Sequence, residues 1–195
     1  LRVRPESLPP TLDPRNAELT LYHAWDESLV GIASWDRATG TIRFTTPAGH
    51  PPGAFGGWKD QANTFVVWNI REGMTQPGQW FLDRTAGRVV YWPRDDDAMS
   101  AATAIAPTQT AVLRLDGTPE SPVREVGIRG IALAMTSTPL VAGGFGALAF
   151  DGALSGHDVA DVTIADVRVR WAGGQGIRIV KSAGLRCSRT DVHDV

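Results

Sequence analysis

Apolar and polar residues follow two different rhythms along this chain, and the second begins at Val123. In the first half Leu19, Leu21, His23 and Trp25 alternate with their neighbours, the period of two that a strand with one buried face requires. Val30-Gly31-Ile32-Ala33-Ser34 and Thr41-Ile42-Arg43-Phe44 flank Asp36-Arg37-Ala38-Thr39-Gly40. Trp80-Phe81-Leu82 and Arg88-Val89-Val90-Tyr91-Trp92 flank Asp83-Arg84-Thr85-Ala86-Gly87 in the same way. Both connections read Asp-Arg-x-x-Gly. A short turn ending in glycine between apolar runs predicts a hairpin, because glycine enters positive φ without a Cβ clash. The aspartate at the entrance accepts backbone N–H groups two residues on. Phe65-Val66-Val67-Trp68 supplies a further strand. Ala98 to Ala106 suits a helix by composition and an edge strand by apolar spacing, and no helix longer than two turns is expected elsewhere.

From Val123 the pattern changes to apolar positions in a repeated frame. Val126, Ile128, Ile131 and Leu133 read V-x-I-x-x-I-x-L; Val162, Ile164, Val167 and Val169 repeat the frame, as do Leu185, Cys187, Thr190 and Val192. The second set lies 36 residues after the first and the third a further 23. A repeat in the low twenties, built of short β-branched strands broken by Gly and Asp, predicts coils of a parallel β-solenoid. The longer interval predicts a coil carrying an insertion at Ser137 to Gly146. Gly130, Asp166 and Arg189 fall in the doublet where each coil corners, and Cys187 falls in line with Ile128 and Ile164 as a small apolar rung. Gly176 to Ile179 is expected on a second sheet, with Ala147 to Phe150 as its counterpart one coil earlier.

Composition narrows the function. The 195 residues carry 19 Lys+Arg against 21 Asp+Glu, a formal charge of -2 and a pI near 6.1. No clustered positive excess exists to bind nucleic acid or an anionic membrane, and no apolar run reaches the roughly 18 residues of a membrane span. The single cysteine rules out an intrachain disulfide or a cysteine-rich zinc site. Gly 21 and Pro 13 mark a turn-rich chain, and seven tryptophans are a heavy load for this length. The chain opens at Leu1 without a signal peptide and stops after a strand-like pattern, so it reads as a piece of a longer protein.

Gln76-Pro77-Gly78-Gln79-Trp80-Phe81-Leu82-Asp83-Arg84-Thr85-Ala86-Gly87-Arg88-Val89-Val90-Tyr91-Trp92-Pro93 resembles the PGEWYLDR-x-x-G-x-x-YYWP segment of a group of right-handed parallel β-helix proteins. These are glycoside-hydrolase-like, with a β-sandwich module inserted near the start of the helix. Trp25-Asp26-Glu27-Ser28, the Ile32 to Phe44 hairpin and Phe65-Val66-Val67-Trp68-Asn69 resemble that module, and Val123 to Ile131 resembles the start of its helix. Gln79 departs from the more usual Glu, which removes a charge and keeps the hairpin pattern. The expected fold is all-β: an antiparallel β-sandwich-like module with its N-terminal linker over residues 1–106, then the first coils of a right-handed parallel β-helix over residues 107–195.

The resemblance implies hydrolysis of a polysaccharide or oligosaccharide by two carboxyl groups flanking the scissile bond, in an extracellular or periplasmic full-length protein. The family's catalytic acids are expected on coils beyond Val195, so no catalytic motif carries over to this chain. Asp166, Asp191 and Asp194 lie at or near coil corners, where they either border a sugar groove or serve as turn residues, the latter being preferred. His193 stands beside them, and Trp171 follows a strand as a sugar platform or a corner-packing residue. Trp58, in the long loop from His50 to Asn63, either stacks on a sugar or folds back over the core, the second being preferred. Gly144-Phe145-Gly146-Ala147-Leu148-Ala149 matches a dinucleotide-loop skeleton but lacks the strand-to-helix setting. Asp95-Asp96-Asp97 lacks the alternating spacing of a calcium loop, and the four histidines show no i, i+4 pair for zinc. No cofactor or metal is expected. Two rivals stand beside hydrolysis: a β-helix polysaccharide lyase using Lys181 or Arg178 as base, and a non-catalytic glycan-binding or adhesin-like solenoid.

Overall fold

A computed structural model describes residues 1–52, 54 and 64–195. Trp58 lies outside the described residues. Strands dominate, and the only helical turns described are short 3-10 segments, one of them at Met99–Ala101 within the stretch that suited either a helix or an edge strand. The chain divides into two compact units, Leu1–Thr103 with Leu140–Gly146, and Ala104–Pro139 with Ala147–Val195.

The first unit holds strands β1 (Glu18–Tyr22), β2 (Glu27–Asp36), β3 (Thr41–Phe44) and β4 (Phe65–Trp68), paired antiparallel in the order β3-β2-β1-β4. Strands β5 (Trp80–Asp83) and β6 (Arg88–Tyr91) form a separate hairpin. The period of two is realised in β1 and β2, where Leu19, Leu21, Val30 and Ile32 join Leu8, Leu12, Ala17 and Ile42 in one core. Both Asp-Arg-x-x-Gly turns form. Asp36 Oδ1 accepts the Ala38 N–H at 2.9 Å, Asp83 Oδ1 accepts the Ala86 N–H at 3.0 Å, and Gly40 and Gly87 have φ of 66° and 62°. The alternation through His23 and Trp25 does not continue as strand. Tyr22 pairs with Glu27 and the His23 N–H donates to the Asp26 carbonyl at 2.9 Å, so the chain reverses at Ala24–Trp25. Asn69 joins three segments: its amide donates to the carbonyls of Asn16 (2.7 Å) and Leu82 (3.0 Å), and its oxygen accepts the Leu82 N–H at 2.6 Å.

The second unit holds β7 (Leu113–Asp116), β8 (Val123–Arg124), β9 (Gly127–Arg129), β10 (Ala132–Ala134), β11 (Gly152–Ala160), β12 (Thr163–Ala165), β13 (Arg168–Arg170), β14 (Gln175–Ala183), β15 (Arg186–Ser188) and β16 (Asp191–His193). They form three open parallel sheets: β14-β11-β7 with β8 also on β11, β15-β12-β9, and β10-β13-β16. The registers follow the sequence repeat. Ile128, Ile164 and Cys187 are Cα partners in one sheet; Leu133, Val169 and Val192 are partners in another. Thr163 N–H donates to the Val126 carbonyl and Arg186 N–H to that of Val162, each at 2.9 Å, which brings Val126, Val162 and Leu185 into successive register. Ile164, Val162, Val167 and Val169 are buried among Ile128, Leu133, Leu154 and Val159.

The corners share one backbone conformation. Gly130, Asp166 and Arg189 all have left-handed φ, and so do two further sets at the same spacing: Glu125, Asp161 and Gly184, and Met135, Trp171 and Asp194, all between 46° and 66°. Left-handed φ is costly for residues with a Cβ, least so for Asn and Asp. Here the strain is offset by backbone bonds between stacked corners: Asp161 N–H to Ala183 O (2.9 Å), Gly130 N–H to Ala165 O (3.1 Å), Asp166 N–H to Ser188 O (3.2 Å).

One strand falls elsewhere than expected. Phe145–Ala147 is a 3-10 turn, and the partner of the Gly176 to Ile179 segment is β11, with Leu154 opposite Ile177. Gly152 opens this strand. A Cβ on Gly152 would lie 2.6 Å from the backbone nitrogen of Arg178, so glycine is required by the approach of the neighbouring strand.

Candidate functional site

Four of the five residues singled out from the sequence gather on the β10-β13-β16 sheet and the corner that follows it. Leu133 and Val169 face the core, so Arg168, Arg170, Asp191 and His193 alternate to the other side. Arg168 and Asp191 are register partners, with Nε and Oδ2 3.7 Å apart. His193 joins two carboxylates: its Nε2 is 3.9 Å from Asp191 Oδ2 and its Nδ1 is 2.9 Å from Asp194 Oδ2. At the corner, the Arg170 guanidinium carbon sits 4.2 Å from the centroid of the ring of Trp171, a residue that stays 46% exposed. This cation–π contact orients both side chains.

Asp166 stands apart at the corner before β13. Arg189, its stacked counterpart, donates through Nη2 at 2.7 Å, and that hydrogen bond holds the Asp166 carboxyl below the ordinary range. Asp166 therefore closes a turn and an ion pair. Asp151 is held in the same way by Arg114 and by the Thr110 hydroxyl at 2.8 Å, and its carboxyl is likewise lowered, chiefly by Arg114. Asp97 accepts the Tyr91 hydroxyl and the Arg94 N–H, which makes it a turn-fixing residue.

Two clusters went unnoticed in the sequence. In the first unit the fully buried Ser28 hydroxyl accepts the Gly49 N–H at 3.0 Å and lies 3.2 Å from His23 Nε2. Beside it the Asp26 side chain, 2% exposed, lies 3.3 Å from His50 Nε2, and the two imidazoles meet edge to face at 5.5 Å. His23 and His50 are 27 positions apart, so helical spacing offers no hint of their contact; the packed His-x-x-Asp-x-Ser string was the only local signal. In the second unit His157 lies between Asp116 (3.6 Å) and Asp158 (3.3 Å). The register of β7 with β11 makes that arrangement, and only the strand pairing reveals it. Among the described residues no group of three or more His, Cys, Asp and Glu has the arrangement of a metal site. No helix among them is long and apolar enough to cross a membrane.

Chemically, the β13–β16 face offers a half-exposed aromatic ring, a stacked guanidinium, an imidazole and two carboxylates that are each engaged by a neighbour. That set is equipped to hold a polar ring-shaped ligand through stacking and hydrogen bonds. A free pair of carboxylates is not among its features. The chain was compared with protein families, curated proteins and solved structures, and none of the three comparisons returned a match.

Proposed function

We propose that this chain is the glycan-contacting part of a carbohydrate-active protein, most simply a secreted or periplasmic glycoside hydrolase. Its second unit is read as the opening windings of a right-handed parallel β-helix. The three parallel sheets and the corner sets repeating at 36 and 23 residues support that winding. The observation that carries the functional reading is Trp171, a half-exposed residue at a corner with Arg170 stacked on its ring and with Asp194, paired to His193, at the equivalent corner one repeat on. An aromatic ring with an open area receives the apolar face of a pyranose, while flanking polar groups hydrogen-bond its hydroxyls. In this reading Asp191, His193 and Asp194 bind and orient sugar rather than cleave it, since Asp191 is tied to Arg168 and Asp194 to His193. Cleavage by a two-carboxylate mechanism comes to the proposal from the sequence resemblance.

Binding of xylo- and fuco-oligosaccharides to the chain, followed by ligand-observed NMR, tests the reading. Saturation transfer that is lost in Trp171→Ala is expected. Equal transfer in Trp171→Ala and the parent protein removes this face from the proposal. Release of reducing ends by the full-length protein separates hydrolysis from the non-catalytic alternative, and absorbance from an unsaturated uronate product identifies the lyase.

A further inference from the structure

We infer that the sugar held at this face carries an acidic group, a carboxylate or a sulfate, and that Arg170 is the residue that selects it. The inference rests on the glycan reading above and adds the substrate class. The cations around the site are otherwise engaged: Arg168 faces Asp191 and Arg189 holds Asp166. Arg170 differs. Its Nε is buried with no acceptor, and no described residue forms an ion pair with its guanidinium.

Its neighbours explain why the charge stays uncompensated. In register, Ala134 lies on one side of Arg170 and His193 on the other. The alanine offers no side-chain acceptor, and the imidazole is directed to Asp194 and Asp191. With its Nε buried and unsatisfied, the half-buried guanidinium is partly desolvated and has no counter-charge, and an oxyanion that accepts from its remaining N–H groups supplies one. The planar fork suits the paired oxygens of a carboxylate or sulfate better than a single hydroxyl. The stack on Trp171 at 4.2 Å fixes the fork before any ligand arrives, which lowers the ordering cost of binding. A pyranose resting on the open part of the Trp171 ring brings its substituents to this cation.

Isothermal titration calorimetry of the 195-residue chain with an oligogalacturonate, a sulfated galacto-oligosaccharide and a neutral xylo-oligosaccharide tests the inference. Charge-assisted pairing predicts that at least one acidic ligand binds roughly tenfold or more tightly than the neutral one, with affinity falling as salt rises. Arg170→Gln brings the acidic ligand to the affinity of the neutral one. Arg170→Lys, which keeps the charge and loses the fork, restores part of the difference. Circular dichroism confirms that each variant is folded. Which acidic ligand wins distinguishes carboxylate from sulfate. Equal binding of acidic and neutral sugars, or a preference that survives Arg170→Gln, overturns the inference and leaves the glycan reading standing. Absence of binding by every sugar to the folded protein overturns both.

Discussion

Truncating the column Ile128–Ile164–Cys187 one residue at a time tests how the second unit is held together. The three residues are Cα partners in one parallel sheet, yet their burial differs: Ile164 is 1% exposed, Ile128 is 6% exposed and Cys187 is exposed. Ile164→Ala removes three carbons from a packed interior. At about 0.8 kcal/mol per buried methylene the transfer loss is about 2.4 kcal/mol. The cavity that remains raises the cost to roughly 3–4 kcal/mol. Ile128→Ala is expected to cost roughly 2–3 kcal/mol for its slightly lower burial. Cys187→Ala removes one exposed atom and is expected to cost under about 0.5 kcal/mol. Hydrogen–deuterium exchange read by mass spectrometry on peptides spanning β12 and β13 reports the local opening energy. Ile164→Ala should accelerate exchange there on the order of 100-fold, since each 1.4 kcal/mol is about a factor of ten. Cys187→Ala should leave it nearly unchanged. If Cys187→Ala loosens β12 as much as Ile164→Ala does, or if Ile164→Ala gives less than about a tenfold change, the burial argument fails.

Four other outcomes follow from local contacts. Gly130→Ala places a Cβ in open space at φ 66° and should cost only the conformational penalty, about 1 kcal/mol. Gly117→Ala, whose Cβ would lie 2.2 Å from the Asp158 carbonyl oxygen, should cost about 3 kcal/mol, and urea titration of both glycine variants checks the difference. Asn69→Ala removes three hydrogen bonds that join Asn16, Leu82 and the end of β4, and a loss of about 2–3 kcal/mol is expected in the thermal transition of the first unit. Asp151 has a depressed carboxyl pKa in the folded chain, so the stability it contributes is complete above the ordinary carboxylate value of 3.8. That contribution disappears as pH falls through the lower folded value. The pair with Arg114 is partly exposed, which limits the effect to under about 1 kcal/mol. Comparing Asp151→Asn with the parent protein in urea titrations at pH 7 and pH 3 should show a difference at pH 7 that shrinks at pH 3.

The fold was legible where one residue type performs a local task. Gly40 and Gly87 mark their turns because the turns need left-handed φ, and Asp36 and Asp83 because their carboxylates reach the nearby N–H groups. The frame shared by Val126, Val162 and Leu185 showed which residues would stack, since inward positions must be apolar in every repeat. It located the corners at Gly130, Asp166 and Arg189 and two members of another set, Trp171 and Asp194, and missed Glu125, Asp161, Gly184 and Met135, since Glu and Met rarely adopt left-handed φ alone. They do so here under the constraint of stacked neighbours. Alternation also misled at His23 and Trp25, where a two-residue reversal preserves the period of two across a turn. In the candidate site, Asp191, His193, Asp194 and Trp171 were visible from their position at a corner. The role of Arg170 was not, because an unpaired guanidinium is defined by what its neighbours lack.

The placement of Leu140–Gly146 in the first unit has a practical consequence. Ser28 bridges to Ala142, and the Thr46 hydroxyl donates to the Leu140 carbonyl at 2.9 Å. Coding order therefore does not match module order. A recombinant product ending at Thr103 would lack a piece of its own wall, and one starting at Ala104 would carry that piece as a foreign internal insert. Anyone wishing to isolate either half must transplant the seven-residue stretch across a designed joint, or keep the polypeptide whole.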